Sequence, residues 1–261
     1  MKKFWGFLLV IVLMTSCGEY QSLLKSNDYN LVYKKAIEYY NKGDYQRAMN
    51  LLDGVRSVFV GQAKAQNIAY YRAFCSYNMK DYQIASDLFK QFIQTYPESS
   101  FAEECLYMMG FCDYKASPKP RLDQQVTEKA IREFQLYLSR YPYSMRKDKV
   151  NTYMDEMRDK LSYKAYLSAK NYYLREHYKA AVISLQNCLK DYPGSKYREE
   201  IMYMLFVSKY QMAVNSVEDK KVERYNNARE EYYYFADEYP NSRYAADVKK
   251  MYEDIEAYLE N

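Results

Sequence analysis

The chain has 261 residues, 28% of them charged, and a formal net charge of +4. Its Lys and Arg residues alternate with Asp and Glu and form no basic stripe, so nucleic acid is excluded as an expected partner. Seven glycines and six prolines stand against 34 tyrosines, which argues against a β-rich protein built on tight turns and favours thin helical layers in which rings are half covered.

The first residues predict export and lipidation. Two lysines precede an apolar run from Phe4 to Met14, which is too short to span a bilayer and has the length of a signal-peptide core. The run is followed by Thr15-Ser16-Cys17, which resembles a bacterial lipobox. We therefore expect residues 1–16 to be a signal peptide and Cys17 to carry a diacylglycerol group and an N-acyl chain. An ordinary secretory signal is the alternative.

Several acyl chains on one residue anchor a protein almost irreversibly without a membrane span. Residues 17–28 then form a lipidated linker. Because Gly18 follows the cysteine and no Asp stands there, the expected destination is the outer membrane.

A Tyr-Pro-x-Ser phrase occurs four times, beginning at Tyr96, Tyr141, Tyr192 and Tyr239. Proline disfavours helix at the residue before it, and Ser is a preferred residue at a helix start. Each phrase therefore predicts the end of one helix and the start of another. The intervals between the phrases exceed the 34 residues of a tetratricopeptide (TPR) unit, which predicts such units with insertions.

The TPR signature places two small residues where paired helices touch and large residues beside them. The second unit matches with Ala73, Tyr82, Ala85 and Phe89, and the fourth matches with Ala169, Tyr178, Ala181 and Leu185. The third unit has Gly110, Ala130 and Phe134 and needs a loop at residues 116–123. The first unit has Ala36, Ala48 and Leu52, and the fifth has Ala228 and Tyr232 with extra residues from the polar run 217–222.

These units predict an all-α fold, an α-solenoid of about five TPR repeats and roughly ten helices. Residues 29–142 hold units 1–3 and residues 143–261 hold units 4–5. Apolar residues recurring at three and four predict one long connecting helix from near Lys147 to about Leu174. Ser100 and Glu103 predict a capping box at a helix start.

The chain offers no catalytic or metal constellation. Its single histidine, His177, falls in a predicted helix-helix turn where TPR units often have Gly. The sequence shows no nucleophile that His177 could activate as a general base. The acidic pairs are adjacent on predicted helices, so their side chains diverge. The other cysteines have no metal-ligand spacing and are expected as buried thiols, with a disulfide as the alternative: Cys75, Cys105, Cys112 and Cys188. We therefore expect the protein to be non-enzymatic, to use no cofactor and to have no small-molecule substrate.

Together the lipobox, the five units, the loop and the long helix resemble the BamD family, the lipoproteins of the outer-membrane β-barrel assembly machinery. The more specific matches are Tyr107-Met108-Met109-Gly110 before the loop and Leu189-Lys190-Asp191-Tyr192-Pro193 after the long helix. The loop segment Arg121-Leu122-Asp123-Gln124 resembles members from Bacteroidota-like bacteria.

This resemblance implies a periplasmic scaffold on the outer membrane. The amino-terminal units would receive the carboxy-terminal signal of unfolded outer-membrane proteins, and the carboxy-terminal units would dock the POTRA domains of BamA. Candidate groove residues, with helix packing as the alternative, are Tyr39, Tyr40, Tyr70, Tyr71, Phe74 and Tyr77. Candidate loop contacts are Arg121, Asp123 and Gln124. Glu176 and His177 stand where many relatives carry Arg-Gly, so a BamA contact there must differ.

Two other readings stay open at this point. A TPR adaptor of the Tol-Pal and cell-division type shares the phrase but usually has a coiled coil and no lipid anchor. A SusD-type glycan-capturing lipoprotein is also built on TPR units but is about twice as long.

Overall fold

The computed structural model describes residues 18–260. All regular structure in this part of the chain is helical, and it contains no strand. A helical segment at residues 18–24 is followed by eleven helices: α1 Tyr29–Asn41, α2 Tyr45–Val55, α3 Ala63–Asn78, α4 Tyr82–Thr95, α5 Ala102–Ala116, α6 Gln125–Arg140, α7 Lys147–Leu174, α8 Tyr178–Asp191, α9 Arg198–Val214, α10 Glu218–Glu238 and α11 Ala245–Leu259.

Successive helices pack in five pairs, α1/α2 through α9/α10, and α11 packs on the last pair. The predicted all-α repeat fold is confirmed. Helix α7 has the bounds that the sequence predicts, and the predicted loop in the third pair separates α5 from α6. Of the polar run 217–222, which the sequence predicts to supply extra residues to the fifth unit, residues 218–222 form the start of α10.

The chain divides into two compact units. The first unit ends at Met154 and the second begins at Asp155, so the division falls inside α7, whereas the sequence placed it after residue 142. Residues Lys119–Leu122 of the loop belong to the second unit. The reason is physical: no Gly or Pro interrupts α7, so one helix contributes its two ends to different cores.

The small residues of the TPR signature lie where the paired helices touch. Ala73 and Ala85 are fully buried, and Phe89 fills the space beside them. Ala169, Ala181 and Leu185 repeat the arrangement in the second unit. A bulkier residue at the small positions would hold the helices apart, because protein interiors are packed as densely as organic crystals.

The phrase serines do not cap the following helices, contrary to the prediction. Helices α5, α9 and α11 begin after Phe101, Tyr197 and Tyr244, without a side-chain cap. Each phrase serine instead accepts a hydrogen bond from the backbone N–H two residues later, at 3.0 to 3.3 Å. The capping box of Ser100 and Glu103 is wrong for the same reason, since the serine turn precedes the helix and the Glu103 carboxylate binds elsewhere.

Polar links join neighbouring repeats inside each unit. In the first unit the Tyr137 and Ser144 hydroxyls both donate to Glu103 Oε1, at 2.9 and 2.7 Å. In the second unit Ser242 donates to Glu199 Oε1 at 2.7 Å, and Ser162 donates to Ser195 at 2.8 Å. The bonds of Ser144, Ser195 and Ser242 thus connect one helix pair to the next, whereas the bond of Tyr137 connects the two helices of one pair.

Residues 18–24 differ from the linker that the sequence predicts. They are helical, and Tyr20 and Leu23 are buried in one cluster with α1 and α2. The Asn50 amide donates to the Tyr20 hydroxyl at 3.0 Å. Two apolar residues three apart give this segment a face to bury, which covers the end of the first repeat.

Candidate protein-binding surface

A row of aromatic side chains runs along the first helices of the repeats in the first unit. Neighbouring rings are in contact, with centroid distances of 4.9 Å between Tyr40 and Tyr71, 4.5 Å between Tyr70 and Phe74, and 4.4 Å between Tyr114 and Tyr153. We call this set the aromatic row; its members are Tyr40, Tyr70, Tyr71, Phe74, Tyr77, Phe111, Tyr114 and Tyr153. All eight are half-buried, so each keeps part of its ring accessible.

The row is continuous because α3 and α5 each carry aromatic residues about one turn apart. On α3 the contacts pass from Tyr70 to Phe74 and on to Tyr77, whose ring lies 6.2 Å from Phe111 of α5. On α5 the spacing of Phe111 and Tyr114 stacks the two rings at 5.9 Å. Residues three and four apart share one face of a helix.

Two charged residues lie beside the row. The Tyr70 hydroxyl donates to Glu104 Oε2 at 2.8 Å, and Arg146 donates to Glu104 Oε1 at 3.4 Å. The Arg146 guanidinium lies 4.6 Å from the centroid of Tyr107. Burial and the hydrogen bond to Glu104 raise the pKa of Tyr70, so its hydroxyl stays protonated and acts as a donor.

The arrangement suits the binding of another molecule. Half-covered rings supply contact area at a low entropy cost, since an aromatic side chain has only two side-chain torsions to fix. Among the described residues no group of His, Cys, Asp and Glu could hold a metal ion. The four cysteines of this part of the chain are buried and free, and burial raises the pKa of Cys75 to about 12.

Five of the six predicted groove residues belong to the aromatic row, and the sixth, Tyr39, does not. Its ring packs 6.0 Å from Tyr20 and 5.7 Å from the Arg47 guanidinium, on the side of α1 that meets residues 18–24. Whether row members bind a partner stays a prediction.

The sequence analysis missed the α5 and α7 members of the row. The spacing of Phe111 and Tyr114 on a predicted first helix would have identified them. Tyr153 could not be found in that way, because it meets Tyr114 only through packing of α7 on α5.

The loop residues proposed as contacts have different surroundings. Asp123 Oδ1 accepts from the Gln125 N–H at 2.9 Å and so orders the start of α6. The Gln124 side chain is 3% exposed and accepts from the Thr127 hydroxyl at 2.7 Å, which commits it to the interior. Arg121 is exposed in the second unit and lines a cavity of about 650 Å³ with Tyr163 and Lys164.

The turn between α7 and α8 carries the predicted pair Glu176 and His177. The backbone of Glu176 is left-handed, with φ of 60°, and corresponds to Gly43 and Lys80 in the equivalent turns of the first two pairs. The predicted Gly-like position is therefore Glu176 and not His177, which directly precedes α8.

A surface cavity of about 580 Å³ adjoins this turn. Its lining combines the apolar side chains of Ile183 and Met212 with the cations of Lys179 and Arg224. Ile183 is 55% exposed, which is high for an aliphatic side chain on an amphipathic helix. The cavity is a second candidate docking place.

The predicted lipidation site, Cys17, lies outside the described residues. Within residues 18–260 no helix combines the length and the apolar composition needed to cross a bilayer.

Comparison with known proteins gives one family match and several structural similarities. A family model described as YfiO, outer membrane lipoprotein, matches residues 25–200 and 166–260. No curated protein matches the chain significantly.

Three similar solved structures have low sequence identity to this chain. The TPR2AB domain of yeast Sti1 in complex with pHSP90 shares 14% identity, covering 87% of this chain and 98% of that chain, at a TM-score of 0.39. A TPR repeats protein from Bacteroides fragilis NCTC 9343 shares 13% identity, covering 89% and 100%, at a TM-score of 0.42. The human IFIT1 dimer with PPP-AAAA shares 17% identity, covering 94% and 62%, at a TM-score of 0.31. At these TM-scores the similarities do not bear on function.

Proposed function

The chain belongs to the YfiO family of outer membrane lipoproteins, and from this premise we propose that it is a BamD-like scaffold of the β-barrel assembly machinery. It is held on the periplasmic face of the outer membrane by acyl chains on Cys17. It binds other proteins and catalyses no reaction. The loop at Arg121–Gln124 and the many tyrosines support a place among Bacteroidota-like members.

The aromatic row carries the proposal. It receives the carboxy-terminal signal of an unfolded outer-membrane protein as an extended peptide. Side chains on one face of an extended strand are about 6.6 Å apart, close to the 6.2 Å between the rings of Tyr77 and Phe111. An extended peptide can therefore place successive apolar side chains on successive rings, while Arg146 and Glu104 beside the row fix its register.

The second docking place holds a POTRA domain of a BamA-like barrel protein. The cavity beside the α7–α8 turn offers exposed Ile183 as an apolar anchor, with Lys179 and Arg224 as cations at its rim. Interfaces gain most of their affinity from a few such anchors. Glu176 adds a negative charge where many relatives carry Arg-Gly, so the POTRA surface that binds it must offer a donor there.

Site-specific photo-cross-linking tests the substrate role. p-Benzoylphenylalanine replaces Tyr77 or Tyr114 of the aromatic row, and Tyr234 serves as the matched control, because it is a tyrosine 66% exposed on α10 of the second unit. After irradiation in cells, we expect adducts with unfolded outer-membrane barrel proteins at 77 and 114 and none at 234. Equal yields at all three positions would contradict a specific site.

Purification in detergent from the outer membrane tests the assignment to the machinery. We expect a 16-stranded barrel protein with POTRA domains to copurify, and depletion of this chain to lower the amounts of many barrel proteins together. Copurification of Tol-Pal components, or of a TonB-dependent sugar transporter as for a SusD-like protein, would overturn the assignment.

A further inference from the structure

The turn between α6 and α7 follows the third helix pair, and we call it the third turn. It places two apolar side chains entirely in solvent. Tyr143 is 98% and Met145 is 102% exposed, the highest values for large apolar side chains in the described residues. A globular protein gains nothing for its own stability from such side chains, because burial of apolar surface is the favourable term in folding.

The other Tyr-Pro-x-Ser turns show that the fold does not require this pair. All four turns have the same backbone hydrogen bond, from the serine N–H to the tyrosine carbonyl, at 3.0 to 3.1 Å. The position of Tyr143 is occupied in the other turns by Glu98, Gly194 and Asn241. The position of Met145 is occupied by Ser100, Lys196 and Arg243. Only the third turn is apolar at both positions.

Cations surround the apolar pair. Arg140 ends α6, and Lys147 and Lys149 begin α7, with Asp148 as the only acidic residue among residues 140–149. Lys147 and Lys149 are exposed. Neither has a carboxylate within ion-pair distance among the pairs of the described chain, whereas Arg146 is paired with Glu104.

We propose that the third turn contacts the surface of the membrane to which the lipoprotein is anchored. Tyr143 and Met145 enter the interfacial layer, and the flanking cations lie among the anionic phosphates of the phospholipids. Tyrosine is enriched at the membrane-water interface, and cations next to apolar side chains are typical of peripheral membrane contacts.

Two observations favour a lipid surface over a protein partner. The two side chains protrude fully into solvent, whereas protein anchors usually lie within a closely packed patch. Membership of an outer membrane lipoprotein family also means that a bilayer is always within reach, so a weak contact gains from a high effective concentration.

A single-tryptophan reporter tests the contact. The 261-residue sequence has one tryptophan, Trp5, in the predicted signal peptide. Tyr143→Trp therefore reports on the third turn, and Asn241→Trp is the matched control at the same position of another turn. The full acylated chain is purified from membranes and reconstituted in phosphatidylglycerol-containing vesicles, and emission is recorded with and without brominated acyl chains. The unsubstituted protein gives the background from any retained Trp5.

We expect brominated lipid to quench the emission of the Tyr143→Trp variant at least about twofold and to leave that of the Asn241→Trp variant nearly unchanged. Adding Lys147→Gln and Lys149→Gln to Tyr143→Trp should reduce its quenching, as should high salt, because the attraction to phosphate is screened. Absent quenching of the Tyr143→Trp variant, or equal quenching of both variants, would overturn the proposal. So would cross-linking of p-benzoylphenylalanine at position 143, in intact cells, to a protein and not to lipid.

Failure of the lipid contact and failure of the proposed function can be told apart by experiment. Loss of lipid contact at the third turn would leave the cross-links of the aromatic row unchanged. A wrong assignment to barrel assembly would leave the quenching of the Tyr143→Trp variant unchanged.

Discussion

Gly110 of α5 lies directly against the ring of Phe134 in α6, and a Cβ atom added to Gly110 would be 2.9 Å from Cδ1 of that ring. Phe134 is fully buried and cannot move aside. Gly110→Ala should lower the free energy of unfolding by about 1–3 kcal/mol from overpacking, reduced by up to ~1 kcal/mol of gained helix propensity. Denaturant unfolding measures the change.

Gly54→Ala is the control for that prediction. Gly54 lies within α2, and a Cβ atom added to it would meet nothing within 4 Å. Only the propensity term remains, and because Gly54 is the penultimate residue of α2, this variant should gain at most about 0.5–1 kcal/mol. Equal stabilisation by both variants would show that the contact of Gly110 with Phe134 is loose.

Ser144→Ala should cost about 1–3 kcal/mol, because it removes a hydrogen bond to a carboxylate and leaves Glu103 with one donor fewer. Ser99→Ala is the matched control in the second repeat and should cost less. The Ser99 hydroxyl oxygen accepts from the Phe101 N–H in the same type of turn, and no carboxylate contact is seen for it in the described chain.

The cost of Ser144→Ala should also depend on pH. The hydrogen bonds from Ser144 and Tyr137 lower the pKa of Glu103 from its ordinary 4.5, against the opposing effect of burial. The stabilisation by ionised Glu103 is present above pH 4.5 and is lost as the pH falls through the lower folded-state pKa. The difference between wild type and Ser144→Ala should therefore shrink in acid, and a constant difference would contradict the role of the ionised carboxylate.

Glu133→Gln should stabilise the protein above about pH 8. Burial, and then the neighbouring Asp113, raise the pKa of Glu133 from 4.5 to about 8, although Lys129 lies 3.6 Å away. The raised pKa adds stability in full below pH 4.5, and this is lost as the pH rises through 8. Because glutamine does not ionise, stability of the variant should fall less between pH 5 and 9, as followed by thermal unfolding. A parallel pH dependence in both proteins would contradict burial of the ionised form.

Glu176→Gly separates backbone strain from partner binding. A non-glycine residue in the left-handed region costs about 1 kcal/mol, and glycine recovers part of it. We expect a gain of up to ~1 kcal/mol in unfolding free energy, together with altered copurification of the barrel partner. Lys80→Gly is the matched control, with φ of 68° in the equivalent turn of the first unit. It should give the same gain in stability and no change in copurification.

Much of the fold could be predicted because helix ends and close contacts depend on local residue chemistry. Prolines marked the helix ends, alanines and Gly110 marked the contacts, and the unbroken polar-apolar period gave the bounds of α7. The role of the phrase serines could not be predicted in this way, because the same residue type caps helices and closes serine turns. At Ser144 and Ser242 the hydroxyl also donates to a carboxylate of the preceding repeat, Glu103 or Glu199, and no local pattern reports such a distant partner.

The candidate surface was predictable only in part. Aromatic residues three or four apart on one helix share a face, which is why the predicted candidates Tyr70, Phe74 and Tyr77 lie together on α3. The direction of Tyr39 depended on residues 18–24, which cover that side of α1, and the position of Tyr153 depended on the packing of α7. Both are properties of distant segments, which no local pattern reports.

The polar links between successive repeats make the repeats non-interchangeable. Glu103 accepts from Ser144, Glu199 accepts from Ser242, and Ser162 donates to Ser195, in each case across the boundary to the next helix pair. Each of these junctions therefore has a hydrogen bond made by a different pair of residues. Shuffling the repeats, or grafting an idealised cassette into the array, would leave these buried or half-buried groups without hydrogen-bond partners, even where every alanine and ring kept its place. The polar residues at the junctions therefore specify the order of the repeats.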